Sequence, residues 1–194
     1  MKRLIFAISI MLLSCDSTPT SIASVGWFDL PKFSAELVEV MATRSDAVSK
    51  QFGINGKVET KNFSATDSSF WSAELAHLLE TDLNSARLIG AIRLEEGLQD
   101  SGSNLLIDEY QPMEESDIEF KDLKIYYLKE HDEIRRITLE LASKNIMVAS
   151  SASVIIWLNR YNGELLIDSM HVFGKDDVVF QDPREYQSTT RRIR

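Results

Sequence analysis

The chain has 194 residues, enough for one domain with a sizeable core. Its 30 acidic side chains against 21 Lys and Arg give a formal charge of −9. That excess argues against nucleic acid and bare anionic lipid as partners, because phosphate contacts need clustered cations. A single cysteine excludes an internal disulfide framework.

The chain opens with Lys2 and Arg3, then an uncharged apolar run from Leu4 to Leu13. At 1.5 Å per residue such a run covers only ~15 Å as a helix, roughly half a bilayer core, so it reads as a processing segment. Leu12-Leu13-Ser14-Cys15 follows. This run resembles the lipobox of bacterial lipoprotein precursors. The resemblance implies cleavage before Cys15 and acylation of that residue, with two or more chains holding the protein stably to a membrane. Asp16 fits either inner-membrane retention or surface export, depending on the envelope. Residues 1–14 are thus expected to be a signal peptide. Residues 15–26, rich in Ser and Thr with Pro19, are expected to be a flexible tether.

A single domain is expected over 27–186. Asp29 is a candidate N-cap and Pro31 suits a first helical turn. Phe33, Leu37, Val40, Met41, Val48 and Phe52 recur at three- and four-residue steps, which predicts one helix closed by Gly53 and Gly56. Lys57 to Phe63 reads as a short strand. Asp67 caps a second predicted helix through Trp71, Leu75, Leu78 and Leu79, ending by Asn84.

Beyond Arg87 the period changes to two. Leu88 to Glu95 and Leu105 to Tyr110 read as strands about a turn at 99–103. Pro112 to Asp117 reads as an acidic loop. The alternation slips between Phe120 and Leu123, which predicts a bulge. Arg135 to Leu141, Met147 to Leu158 and Leu165 to Phe173 continue the strands, with Asn162-Gly163 a two-residue hairpin turn. Val178 to Phe180 is a candidate edge strand, and 187–194 a solvated basic tail. The expected fold is α+β: two N-terminal helices packed on an antiparallel meander.

Trp71-Ser-Ala-Glu74-Leu75 followed by Asp82-Leu83-Asn84 resembles the helix-plus-turn signature of a group of small lipoproteins from Bacteroidota. Phe28-Asp29-Leu30, Lys121-Asp-Leu-Lys124 and the Gly163 hairpin fit the same layout, while Ser85-Ala86 departs from it. The resemblance spans residues 27 to 175 and implies a fold and a compartment. It implies no catalytic residue.

The chemistry-bearing candidates are few. His77 reads as partly buried against the sheet, His131 as part of a solvated hairpin tip, and His171 as a sheet-face residue. No zinc-helix, nucleophile-elbow or phosphate-loop pattern is present, so no cofactor or metal is expected. Glu114, Glu115, Asp117 and Glu119 read as a solvated loop. As paired carboxylates in one cleft they would instead suit glycan hydrolysis, the alternative function. Trp71 and Trp157 both read as core, while Trp157 and Tyr161 are also the tentative ligand-binding pair beside the hairpin. The favoured function is a membrane-anchored, non-enzymatic envelope lipoprotein that binds an envelope protein or a small apolar ligand. In outline it resembles the half-barrel carriers that hold acyl chains. A continuous apolar cavity of several hundred Å³ between helices and sheet would mark that role.

Overall fold

A computed structural model describes residues 26–64, 66–114, 116, 118–129 and 133–193. The leader, Cys15 and nearly all of the expected tether lie outside the described residues. So do Glu115, Asp117 and His131.

The architecture is one antiparallel sheet of nine strands with three short helical segments. Helix α1 (Leu30–Ala42) starts as expected, with Asp29 accepting from the Lys32 amide at 3.0 Å and Pro31 in the first turn. It ends at Thr43, earlier than the apolar stripe suggests. Val48 and Phe52 belong instead to strand β1 (Ala47–Ile54). Asn55 and Gly56, both at positive φ, turn β1 into β2 (Lys57–Phe63). The second helix is broken at Leu75 into α2 (Ser68–Glu74), capped by Asp67, and α3 (Ala76–Glu80).

Strands β3 (Ile92–Gln99), β4 (Leu106–Pro112), β5 (Phe120–Tyr127), β6 (Ile134–Lys144), β7 (Val148–Tyr161) and β8 (Glu164–Val178) run as a meander. The expected slip after Phe120 is present as a register shift between Phe120 and Asp122 against β6. Asn162 and Gly163 both take positive φ, as a type I′ hairpin turn requires. Leu88 lies in a turn, and β3 begins four residues later at Ile92.

Two corrections concern the C-terminus. Val178 ends β8, and Val179 and Phe180 form a turn where an edge strand was expected. Residues 187–193 are no tail: Arg184–Ile193 is strand β9, which lies between β8 and β1. The sheet order is therefore β2-β1-β9-β8-β7-β6-β5-β4-β3. Strands β1 and β9 thus meet inside the sheet, and among the described residues β2 and β3 are its edges.

One sheet face carries the core. Leu123, Leu139, Val154 and Val172 stand in one cross-strand row, and Ile125, Ile137, Ile156 and Met170 in the next. Apart from half-buried Val172, all are buried, together with Leu30, Leu37, Met41, Trp71, Leu75 and Leu78 from the helices. Beneath α2, Glu74 is held by Lys50 of β1 and by the Thr190 hydroxyl of β9, which donates at 2.5 Å. That buried pair fastens α2 to β1 and β9.

Candidate functional site

The core rows fill the space between helices and sheet, so the continuous apolar cavity that an acyl carrier needs is not what this face presents. Beyond α3 the same face is open. Beyond Leu141, which faces Ala152, its cross-strand pairs are small or polar: Ser143 with Ser150, Ala152 with Gly174 and Ser150 with Asp176. Ser143 and Ser150 share a 2.9 Å hydrogen bond. Hollows of about 470, 330 and 170 Å³ adjoin there and all touch Glu119.

The groove they form has one wall from α3 and the turn after it, through His77, Glu80, Thr81 and Arg87. Tyr186 of β9 lies across its floor. The ring covers Gly174 so closely that a methyl group there would meet ring carbon Cζ at 2.1 Å. Glycine is needed at that point because an aromatic ring occupies the space a Cβ would take. Burial, and then Asp176 beside it, pushes the Tyr186 hydroxyl above its ordinary range. Cations and anions alternate along the mouth: Arg87 stands 3.9 Å from Glu119, and Lys144, Lys175 and Asp177 line the outer part. The charged and hydroxyl side chains of the lining suit a polar ligand carrying both signs.

Of the acidic-loop carboxylates, Glu119 lines this groove and is largely exposed, while Glu114 is exposed in a turn. Neither is enclosed in an apolar setting. Among the described residues, no three His, Cys, Asp or Glu side chains converge as a metal site, and no helix is long and apolar enough to cross a membrane.

The tentative pair, Trp157 and Tyr161, is separated by its surroundings. Trp157 is on the sheet face opposite the helices, edge-on to His171 at 4.9 Å, in a shallow hollow with Ser169 and Arg191. Burial, then the Arg191 charge, lowers the His171 pKa. Tyr161 packs against the core. Its hydroxyl donates to Asp168 at 3.0 Å, and the Arg192 guanidinium lies 4.3 Å from its ring. Arg192 in turn reaches Asp168 at 2.9 Å and Asp46 at 3.2 Å. Tyr161 is thus committed to a structural network, while Trp157 faces a surface. Trp71 is buried in the core as expected. His77, half-buried, lines the groove. Sequence reasoning missed the groove because its residues are small and polar and come from six separated segments.

No family model matches the chain, and no curated protein is found to match it. A crystal structure of a DUF1329 family protein from Desulfovibrio piger aligns over 86% of this chain and 92% of that one, with 10% identity and a TM-score of 0.34.

Proposed function

We infer that this protein is a lipid-anchored envelope lipoprotein, acylated on Cys15, that works as a non-enzymatic binding module. In this reading the α+β arrangement, N-terminal helices laid on an antiparallel meander, is a rigid platform and the groove beyond α3 is its binding surface. The observation that carries the reading is the leader: Lys2-Arg3, an uncharged apolar run and Leu12-Leu13-Ser14-Cys15. It is supported by the position of the folded body, which starts within a dozen residues of Cys15 with Trp27 packed edge-on to Tyr110 at 6.5 Å. The mixed-sign lining shifts the expected ligand from apolar to polar or zwitterionic.

Metabolic labelling with an alkynyl fatty acid tests the anchor. Wild type is expected to take up label and sediment with membranes, and Cys15→Ala to lose both. Absence of label on wild type would remove the anchor. For the groove, Ser150→Trp and Ala152→Trp fill space on its floor between the strands and the α3 wall. They are expected to abolish binding of an envelope component retained by wild type, with the circular dichroism spectrum unchanged.

A further inference from the structure

The sheet ends, at the mouth of the groove, in two turns that touch. The β6–β7 turn carries Ile146, 91% exposed, and Met147; the β8–β9 turn carries Val179 and Phe180, the latter 99% exposed. The Val179 amide donates to the Met147 carbonyl at 3.0 Å, so the four side chains form one apex. Phe180 sits at φ 66, the left-handed region that a bulky side chain rarely adopts. Single exposed apolar residues are ordinary on protein surfaces. Four of them on two hydrogen-bonded turns, one in an unfavourable backbone conformation, are an exposed patch of the kind that marks a contact surface.

We propose that this apex dips into the leaflet that holds the anchor, and that the leaflet is zwitterionic. Charge and reach select that occupant. The rim carries both signs, Lys144, Lys175 and Arg184 with Asp176, Asp177, Asp182 and Glu185, which matches headgroups bearing an ammonium and a phosphate and, with one acid in excess, gives no pull toward an anionic surface. The chain as a whole is at −9, which opposes an anionic surface.

The second observation is reach. The folded body begins beside Tyr110, in the row of Leu123 and Leu139. The apex lies seven residues further along β6, about 24 Å at ~3.4 Å per residue, and two to five strands across from β4, about 10–24 Å at ~4.8 Å per strand, which makes ~26–34 Å in all. Residues 16–25 span at most ~35 Å when extended. The anchor and the apex can therefore occupy one leaflet, which would set the groove mouth at the headgroups. The inference takes its membrane from the anchored-lipoprotein reading but has its own readout.

The test uses the full, acylated chain in phosphatidylethanolamine/phosphatidylcholine vesicles. Phe180→Cys and Ile146→Cys are labelled with bimane, with Ser101→Cys at the opposite end of the sheet as control. Nitroxides on the lipid acyl chains are expected to quench bimane at 180 and 146 at least threefold more than at 101. Aqueous iodide is expected to do the reverse. Replacing a third of the lipid with phosphatidylglycerol is expected to leave lipid quenching unchanged or lower it.

Equal iodide quenching at all three positions overturns the proposal. So does a shielded position 180 that cross-links to a second copy without lipid quenching, and so does quenching that rises with anionic lipid. The mass of the N-terminal peptide reports acylation separately. Acylation without lipid quenching leaves the anchor and removes the apex; quenching at 180 in a Cys15→Ser chain keeps the apex and removes the anchor.

Discussion

Asp122 is the clearest case of a single side chain held in a poor place. It stands on the bare sheet face between Lys124, 3.5 Å away, and Glu140 across the strand pair, and one of its buried oxygens finds no hydrogen bond. Burial first, then Glu109 and Glu140 against the pull of Lys124, pushes its pKa up to about 6. The folded value lies above the unfolded one. Asp122 therefore contributes stability that is fully present below the ordinary carboxyl range and is lost as pH rises through about 6. Asp122→Asn keeps the shape and removes the charge. It is expected to raise stability by about 1–2 kcal/mol near neutral pH, less than the full shift implies because Lys124 loses a partner. Near pH ~4 it should change little, since both side chains are then neutral. Urea midpoints of both proteins across that range check this, and an equal difference at both ends would refute it.

Among the elements, β9 was least legible in the sequence. A strand is read from alternating apolar residues, yet the β9 positions facing the helices are Tyr186, Ser188, Thr190 and Arg192. Polar residues suffice there because their partners are polar: Glu74 for Thr190, and Asp46 with Asp168 for Arg192. The same region misled the reading of β1, whose Val48 and Phe52 fall by coincidence on the spacing of the α1 stripe. What the sequence did disclose were elements governed by local rules. Asp29 and Asp67 cap helices, Asn162-Gly163 turns a hairpin, and the slip after Phe120 is a bulge. The Arg192 side chain is only 6% exposed. Arg192→Ala is expected to cost about 2–3 kcal/mol in urea unfolding, somewhat under the loss for a fully buried pair because both carboxylates keep contact with water. Arg192→Lys should recover less than half, since a single ammonium cannot span Asp46 and Asp168 and still lie over Tyr161. Full recovery by lysine would reduce the role of the guanidinium to its charge.

At the scale of the whole molecule the topology separates two kinds of contact. Strands β3 to β8 pair with neighbours in sequence, so each hairpin closes a short loop. The pairing of β1 with β9 joins Ala47 to Ile193, and beside it the Arg192 side chain reaches Asp46 across 146 positions. Loop closure of that length must be met before the contacts it brings can form, so long-range strand pairing comes late in folding. The meander is therefore expected to form in the transition state, and the β1–β2 hairpin to dock after it. Val48 and Leu139, both fully buried, report on the two regions. Val48→Ala should act almost wholly on unfolding: a loss of about 2 kcal/mol would speed it roughly 30-fold and leave refolding unchanged. Leu139→Ala, at the centre of the meander, should slow refolding by a large share of its equilibrium cost. Stopped-flow folding and unfolding rates against urea separate the two. Refolding slowed by Val48→Ala but not by Leu139→Ala would mean that β1 and β9 meet first and that the meander is built upon them.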